Sequence, residues 1–270
     1  MSKITKSVPS EQLFSLEDKT IIVTGGYGHL GSTMAKTLAE FGATVIVLGR
    51  HQAKLDTFLK KTTIKGNGTL QGYVCDVTSE QNFKELVEKV LDQHHSIDVL
   101  INNAYGKQYE TFDELTIDLW HSALDAELTH YFTCIKAVSK QMIQQKQGSI
   151  INVASIYGSL GTDQRIFAPI ERKSPIHYSV SKGGILQLTR YLATLWGEHN
   201  IRVNAISPGH FPPKRGPENP AYMKELTTRV PLGRIGQPPD LAGVTVLLAS
   251  DASSYITGQN FIVDGGWSVW

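Results

Sequence analysis

The chain has 270 residues, a formal net charge of +1 and two cysteines. This length suits one domain with a substantial core, and the near-zero charge argues against a nucleic-acid partner. No stretch approaches the ~20 apolar residues of a membrane span, so no membrane partner is expected. Cys75 and Cys134 lie in predicted strand and helix segments, which favours two buried reduced thiols and a cytoplasmic setting. No His/Cys cluster has the spacing of a zinc site, and no catalytic metal is predicted.

The chain begins with a polar stretch that lacks the apolar core of a secretory signal. We predict an N-terminal arm over residues 1–15 and a single domain over residues 16–270. Short apolar runs then alternate with helical segments. The predicted strands are Thr20–Thr24, Thr44–Leu48, Leu70–Val74, Val99–Asn102, Ser149–Val153, Arg202–Ile206 and Phe261–Val263, and the clearest helices are Thr33–Phe41, Phe83–His94 and Tyr178–Glu198. This alternation predicts an α/β fold, a Rossmann-like doubly wound parallel sheet with helices on both faces.

A glycine-rich turn follows the first predicted strand and opens the first helix. Glycines let backbone amides approach a phosphate closely, and the helix that follows presents its positive end. This context favours binding of a dinucleotide pyrophosphate over an ordinary tight turn. The predicted cofactor-binding residues in this turn are Gly25, Tyr27, Gly28, His29, Leu30 and Gly31.

The end of the second strand indicates which nicotinamide cofactor binds. An acidic residue there would hydrogen-bond the adenosine ribose of NAD. This chain has Gly49 followed by Arg50, and the guanidinium of Arg50 can pair with a 2′-phosphate. NADP is therefore favoured, with NAD as the alternative. Asp76 and Val77, after the third strand, are predicted at the adenine edge, although Asp76 equally suits the start of the next helix.

Tyr178 and Lys182 are four residues apart on the long predicted helix. This spacing places both side chains on one face, one turn apart. An ammonium group near a phenol favours the phenolate and lowers the phenol pKa. The two residues therefore form a candidate proton donor and acceptor.

Several motifs follow one another in a single order along the chain. They are the glycine-rich turn, Asp76-Val77, Asn102-Asn103-Ala104, Ser155, Tyr178 with Lys182, Pro208-Gly209 and Val263-Asp264-Gly265-Gly266. In this order the chain resembles the single-domain branch of the short-chain dehydrogenase/reductase family over nearly its whole length.

The resemblance implies a role for each matching residue. Tyr178 would be the general acid/base at the substrate oxygen, Lys182 would lower its pKa and bind the nicotinamide ribose, and Ser155 would orient the substrate oxygen. Asn103, beside Asn102, would shape the cofactor wall, and Pro208 and Gly209 would turn the chain beneath the nicotinamide. The resemblance also implies a homo-oligomer, a tetramer or a dimer, and the ending Trp267–Trp270 is predicted at a subunit interface.

The chain departs from the family pattern at Glu127, which stands in register with the family's catalytic Asn. A glutamate there can hold a water and extend the proton relay from Lys182. It can also pair with Lys182 and weaken the effect of the lysine on Tyr178. A structural role is the third alternative.

Further departures concern the glycine turn and the substrate pocket. The spacing Gly25-x-x-Gly28-x-x-Gly31 is similar to that of the extended branch of the family, which handles nucleotide sugars. Tyr105 replaces a usual glycine, and the loop after Pro208 lacks a usual threonine. Ser155 and Tyr178 are 23 positions apart, and the long segment between them is predicted to overhang the site. The candidate substrate residues are Tyr105, Arg165, Arg172 and His210, with Lys214 and Arg215 in the loop that follows His210.

These observations predict an NAD(P)-dependent oxidoreductase that interconverts a secondary alcohol and a ketone. The basic residues near the site favour a small polar substrate, anionic or sugar-like. Two alternatives stay open at this point. One is a nucleotide-sugar oxidoreductase or epimerase, which the glycine spacing favours, and the other is a catalytically weak NADP-binding regulator, which Glu127 favours.

Overall fold

The structure, a computed structural model, describes Pro9 and residues 12–106, 110–213 and 219–270. It contains a seven-stranded, wholly parallel sheet with strand order β3-β2-β1-β4-β5-β6-β7. The strands are β1 (Thr20–Val23), β2 (Thr44–Gly49), β3 (Thr69–Val74), β4 (Val99–Asn102), β5 (Gly148–Val153), β6 (Ile201–Pro208) and β7 (Asn260–Val263). The predicted fold class is confirmed. Most of the predicted arm 1–15 lies outside the described residues.

Helices cover both faces of this sheet. They are α1 (Gly31–Glu40), α2 (Gln52–Lys61), α3 (Glu80–His94), α4 (Ile117–Leu124), α5 (His130–Gln145), α6 (Ile176–Trp196), α7 (Pro220–Thr228) and α8 (Ala242–Ala249). Successive residues of a strand point to opposite faces. Ile22 therefore packs in the core beneath α3, α5 and α6, whereas Ile21 packs in the core beneath α1, α2 and α8. Both side chains are fully buried.

The crevice of the fold lies beside β1. This strand pairs with β2 on one side and with β4 on the other, so the direction of chain winding reverses there. Ligands of open parallel sheets bind outside the carboxyl ends of the strands at such a point. The glycine turn after β1, the end of β2 and the residues after β4 and β5 all meet at this edge.

Two predicted bounds differ from the structure near the site. Strand β6 runs two residues past its predicted end, because Pro208 pairs with Val263 and Gly209 N–H donates to the Val263 carbonyl at 2.9 Å. Helix α6 starts at Ile176, since Pro175 holds an extended backbone with ψ of 139°. Tyr178 therefore lies in the first turn of α6. No helix in the described part of the chain is long and apolar enough to cross a membrane.

Candidate active site

The glycine turn is held against the end of β4 by two polar residues. The Thr24 hydroxyl accepts hydrogen bonds from the backbone N–H groups of Asn103 at 2.9 Å and Ala104 at 3.0 Å. The Asn103 amide donates to the carbonyls of Thr24 at 3.0 Å and Gly25 at 3.2 Å. Asn103 thus fixes the turn, and its contact with a cofactor stays a prediction.

Close packing explains the glycines of this turn. Gly25 has a φ of +61°, which side-chain-bearing residues rarely adopt. A Cβ on Gly31 would collide with the Gly25 carbonyl and the Asn103 amide. Helix α1 can therefore begin directly under the turn, with its N-terminus directed at the crevice, where a phosphate is stabilised.

An open cleft of about 820 Å³ runs from this turn along the carboxyl ends of the strands. Of the predicted cofactor-binding residues, all but Gly31 line it. They are Gly25, Tyr27, Gly28, His29, Leu30, Arg50, Asp76, Val77, Asn103, Tyr178, Lys182, Pro208 and Gly209. Residues from five strand ends thus line one cleft. Their contacts with a cofactor stay a prediction.

Tyr27 and Gly49 form the wall of this cleft at the end of β2. The Tyr27 ring lies directly against Gly49, so a Cβ on Gly49 would overlap the ring. The Tyr27 hydroxyl accepts a hydrogen bond from the His51 backbone N–H at 3.2 Å, which fixes the ring in place. Arg50 is exposed beside them. A phenol therefore fills the space where an acidic side chain on residue 49 would lie.

Asp76 lies on the same wall and has two roles in the structure. It lines the cleft, and its Oδ1 accepts hydrogen bonds from the Thr78 hydroxyl at 2.7 Å and the Thr78 backbone N–H at 3.1 Å. Although burial opposes it, these bonds and the nearby charge of Arg50 hold the Asp76 pKa below its ordinary value. An ionised carboxylate at this point can accept a hydrogen bond from a purine amine. The cap of α3 is Ser79, whose hydroxyl accepts from the Asn82 N–H at 3.3 Å.

The candidate proton-transfer group, formed by Ser155, Tyr178 and Lys182, lies at the carboxyl end of β5. Ser155 is the second residue after the strand, is buried, and lies near enough to the Tyr178 phenol to lower its pKa. The Ser155 hydroxyl also accepts a hydrogen bond from the Tyr157 N–H at 3.2 Å. The turn after Ser155 packs tightly on α6, since a Cβ on Gly158 would lie 2.7 Å from the Lys182 carbonyl oxygen. The two elements therefore hold the hydroxyl and the phenol together.

Lys182 lies beneath the Tyr178 phenol. Its Nζ donates a hydrogen bond to the Val153 carbonyl at 2.9 Å and is 5.6 Å from the centre of the Tyr178 ring. Burial lowers the Lys182 pKa to about 8, although the charge of Glu127 opposes this. Burial also raises the Tyr178 pKa to about 12, and the hydrogen bond from Ser155 opposes that shift. The site thus holds a protonated phenol next to an ammonium that can stabilise its anion.

Comparison with known proteins agrees with this geometry. The family described as enoyl-(acyl carrier protein) reductase matches residues 28–268. The 3-oxoacyl-[acyl-carrier-protein] reductase FabG of Thermotoga maritima is 34% identical, over 93% of this chain and 98% of its own length. The chain belongs to the short-chain dehydrogenase/reductase family. This family membership makes it an oxidoreductase that acts on CH–OH groups with NAD(P).

Two other members of the short-chain dehydrogenase/reductase family are sugar-acid enzymes. The 2-dehydro-3-deoxy-D-gluconate 5-dehydrogenase of Formosa agariphila is 34% identical, over 95% of this chain and 95% of its own length. The crystal structure of a gluconate 5-dehydrogenase from Burkholderia cenocepacia, in complex with NADP and tartrate, is 28% identical with a TM-score of 0.86. The match covers 97% of this chain and 100% of the Burkholderia cenocepacia chain.

Glu127 lies in a π-helical turn, Asp125–Thr129, that joins α4 to α5. Turns of this kind recur at functional sites because they redirect side chains within a continuous helix. Glu127 is buried and its Oε2 lies 3.2 Å from His177 Nδ1. In this structure the Glu127 carboxylate is hydrogen-bonded to His177, and its charge still acts on the Lys182 pKa. The relay role of Glu127 stays a prediction.

His210, a candidate substrate residue, follows β6 and lies outside the residues that line the cleft. Its Nε2 is hydrogen-bonded to the Tyr157 hydroxyl at 3.2 Å, and Trp267 packs edge-on against the imidazole at 4.4 Å between ring centres. Burial lowers the His210 pKa to about 4, so this imidazole is neutral at pH 7. Tyr157 and His210 are therefore uncharged partners that hydrogen-bond to each other. Trp270 Nε1 donates a hydrogen bond to the Arg229 carbonyl at 3.0 Å, which holds the last residue of the chain against the end of α7.

The long segment before α6 packs on α7. The Asn219 amide donates to the Pro169 carbonyl at 2.7 Å, and the Phe167 and Tyr222 rings are 6.0 Å apart. Arg165 and Arg229 both pair with Asp163.

The candidate substrate residues are thus divided between the cleft and the surface. Tyr105 lines the cleft and is 51% exposed. The Arg165 side chain is 82% exposed and bound to Asp163, and Arg172 is exposed. Neither arginine lines the cleft. Lys214 and Arg215 lie outside the described residues. Substrate contacts of these residues stay a prediction.

His130 is a cleft residue that the sequence prediction missed. It is the first residue of α5, directly after the π-helical turn, and its Nε2 is hydrogen-bonded to the Ala104 carbonyl at 3.1 Å. Burial lowers the His130 pKa to about 4, with the charge of Lys182 adding to the effect. A neutral imidazole thus ties the backbone after β4 to α5. The sequence signal that could have found His130 is its position three residues after Glu127, because residues at that spacing are neighbours on a helix surface.

Proposed function

We propose that this protein is an NADP(H)-dependent oxidoreductase that interconverts a secondary alcohol and a ketone on a small sugar acid. The observation that carries this proposal is the group formed by Ser155, Tyr178 and Lys182 at the end of the cofactor cleft. When bound, the nicotinamide supplies the hydride. Ser155 orients the carbonyl oxygen, Tyr178 donates its proton to that oxygen, and Lys182 stabilises the resulting phenolate.

The choice of NADP rests on the wall formed by Tyr27, Gly49 and Arg50. No carboxylate is present at residue 49 to bind a free ribose 2′-hydroxyl, whereas Arg50 can pair with a 2′-phosphate. The backbone of the glycine turn and the N-terminus of α1 would hold the pyrophosphate. The Burkholderia cenocepacia neighbour, whose structure contains NADP, supports the same choice.

The choice of a sugar acid rests on both the site and the relatives. Tyr105 lines the cleft with a half-exposed phenol that suits a substrate hydroxyl. The names of two relatives, a gluconate 5-dehydrogenase and a 2-dehydro-3-deoxy-D-gluconate 5-dehydrogenase, indicate a polyhydroxylated carboxylate. The competing substrate class is a 3-oxoacyl thioester, after the FabG relative.

A substrate panel tests the proposal directly. The oxidation of NADPH and of NADH is followed by absorbance with keto-gluconates, a short 3-oxoacyl thioester, nucleotide sugars and neutral ketones. We expect the highest kcat/KM with a keto sugar acid and NADPH. A higher value for the thioester would reassign the substrate class. Binding of NADPH without turnover of any carbonyl would instead favour the NADP-binding regulator.

Arg172 is the described arginine that we propose for binding the substrate carboxylate. It forms no ion pair with any described residue, whereas Arg165 is bound to Asp163. Charge-assisted hydrogen bonds contribute about 1.5–3 kcal/mol, so Arg172→Ala is expected to raise KM for a keto sugar acid about tenfold or more. Arg165→Ala, the matched control, is expected to have a smaller effect. An equal KM increase for a neutral polyol would contradict a role in anion binding.

We further propose a homotetramer in the reducing cytoplasm. Apolar side chains are exposed on α5 and α6, where Phe132 is 50% and Tyr191 62% exposed, and at the C-terminus, where Trp270 is 77% exposed. Two separate apolar surfaces suit a tetramer with two kinds of interface. Cys75 and Cys134 are free and buried, which suits a reducing compartment. Light scattering after gel filtration gives the mass, and a monomer would contradict the proposal.

A further inference from the structure

Glu127 and His177 form a buried pair of titratable side chains beside the proton-transfer group. Their side chains are 2% and 0% exposed, and Glu127 Oε2 lies 3.2 Å from His177 Nδ1. His177 Nε2 has no hydrogen-bond partner among the described residues. Among the described residues, Glu127 is therefore the only polar anchor of this imidazole. His177 directly precedes Tyr178 in the first turn of α6.

Lys182 lies close to this pair but does not bond to it. Its Nζ donates to the Val153 carbonyl at 2.9 Å, an oxygen that also accepts from the Tyr131 hydroxyl at 2.9 Å. The charge of Glu127 nevertheless opposes the lowering of the Lys182 pKa by burial. The carboxylate and the ammonium thus influence each other without forming an ion pair.

A buried carboxylate near an ammonium has a strong tendency to pair with it, because each otherwise lacks a compensating partner. Such a pair would draw the ammonium away from Tyr178. The phenol pKa would then rise, since the positive charge is what favours the phenolate. An unopposed glutamate at residue 127 would therefore harm the very lysine on which proton transfer depends.

We propose that His177 is a positioning residue that holds the Glu127 carboxyl group and so keeps Lys182 directed at the Val153 carbonyl and the Tyr178 phenol. This inference rests on the proposed oxidoreductase function. The other groups that face Glu127 are Ser181 and Lys182 of α6, Tyr131 of α5 and the Tyr178 phenol. Burial raises the Glu127 pKa, and His177, Lys182 and Ser181 oppose that shift. Ser181 also acts on the carboxyl group, but His177 makes the contact of defined geometry, with Nδ1 3.2 Å from Oε2.

The test compares three variants in the direction of alcohol oxidation. In that direction Tyr178 accepts a proton, so the rate rises with pH as the phenolate forms. His177→Leu removes the ring nitrogens and keeps an apolar side chain in the space. We expect its rising limb to move upward by about one pH unit and kcat near neutral pH to fall about tenfold, with KM for the alcohol little changed.

Removing the carboxylate is expected to repair this defect. The double variant His177→Leu/Glu127→Gln has no charge to capture Lys182, so its pH profile should return close to that of the wild type. Glu127→Gln alone removes the charge that raises both the Tyr178 pKa and the Lys182 pKa, so its rising limb should move downward, opposite to that of His177→Leu. His177→Asn retains an N–H donor near the position of Nδ1 and should keep most of the activity.

Thr189→Val is the matched control for loss of a buried hydrogen bond on the same helix. Thr189 is buried and its hydroxyl accepts from the Asn152 amide at 3.0 Å, far in sequence from Glu127. It should lower Tm to a similar extent as His177→Leu without moving the pH profile. An unshifted limb in His177→Leu, or a double variant no better than His177→Leu, would overturn the inference.

A crystal structure of His177→Leu gives a readout that needs no turnover. We expect the Glu127 carboxylate and Lys182 Nζ to lie within about 4 Å, the limit for an ion pair. An unchanged contact of Lys182 with the Val153 carbonyl would overturn the positioning role. A wild-type enzyme that turns over no substrate of the panel would instead refute the proposed function, so the two failures are distinguishable.

Discussion

Replacing Tyr178 with Phe is expected to lower kcat for carbonyl reduction by roughly 10²–10⁴-fold, the usual contribution of a positioned general acid. Phenylalanine keeps the ring and its packing, and it removes only the hydroxyl that bonds to Ser155. KM for NADPH should change little, because the cleft wall from Tyr27 to Asp76 is untouched. Steady-state kinetics with a saturating keto sugar acid provide the measurement.

The pH dependence of the wild-type reaction should reveal the same group. Burial raises the Tyr178 pKa to about 12, so the phenol stays protonated and able to donate throughout the neutral range. Burial lowers the Lys182 pKa to about 8, so the lysine is charged below that pH and neutral above it. The reduction rate should therefore decline as pH rises through about 8, because the phenolate left after proton donation loses its stabilising charge.

Tyr73→Phe is the matched control for loss of a phenol hydroxyl. The Tyr73 hydroxyl donates to the Gln93 side chain at 2.6 Å, outside the residues that line the cleft. Its activity and pH profile should match the wild type. A Tyr178→Phe enzyme that keeps more than about a tenth of the wild-type kcat would contradict a general-acid role for this phenol.

The fold was predictable because its signals are local. Runs such as Val45–Leu48 are apolar at every position, which is the pattern of a strand buried on both faces. The carboxyl ends of such strands meet at one edge, so the sequence alone predicts that the glycine turn, Ser155 and Pro208 lie near one another. Errors were confined to strand and helix ends. Strand β6 continues through Pro208 because of its pairing with β7, a long-range effect that the local sequence does not contain.

The contacts between side chains of distant elements were not predictable. Glu127 and His177 are 50 positions apart, and only the π-helical turn before α5 brings the carboxylate to α6. A prediction from helical periodicity assumes a regular repeat. It therefore misplaces the side chain of every residue after a π-helical turn. The long segment containing Arg165 was predicted to overhang the site, and this stays a prediction. Its binding to Asp163 and its packing on α7 depend on contacts that appear only when the chain is folded.

Tyr27 illustrates how such a contact changes a functional prediction. From the sequence, the absence of an acidic residue at position 49 indicates only that no negative charge lies there to repel a 2′-phosphate. In the structure the Tyr27 ring occupies the space in front of Gly49, so the position is closed by shape as well. A change of cofactor preference therefore requires two substitutions.

Gly49→Asp alone is expected to weaken NADPH binding without creating a preference for NADH. The new Cβ overlaps the Tyr27 ring, which is fixed by its hydrogen bond from the His51 N–H at 3.2 Å. The carboxylate would also repel the 2′-phosphate that we propose Arg50 binds. Losing one charge-assisted bond raises Kd for NADPH by about tenfold to a hundredfold. Titration of NADPH and NADH by cofactor fluorescence measures both affinities.

Tyr27→Ala combined with Gly49→Asp is expected to reverse the preference. The truncated side chain leaves room for the aspartate to accept a hydrogen bond from the ribose 2′-hydroxyl of NADH, as the end of the second strand does in NAD-binding sheets. Arg50→Ala removes the positive charge and leaves the contact of Tyr27 with Gly49 in place. It should therefore weaken NADPH binding and leave NADH binding nearly unchanged. The role of Tyr27 is contradicted if Gly49→Asp by itself prefers NADH and keeps the wild-type Tm. In that case the ring moves aside at little cost, and charge alone selects the cofactor.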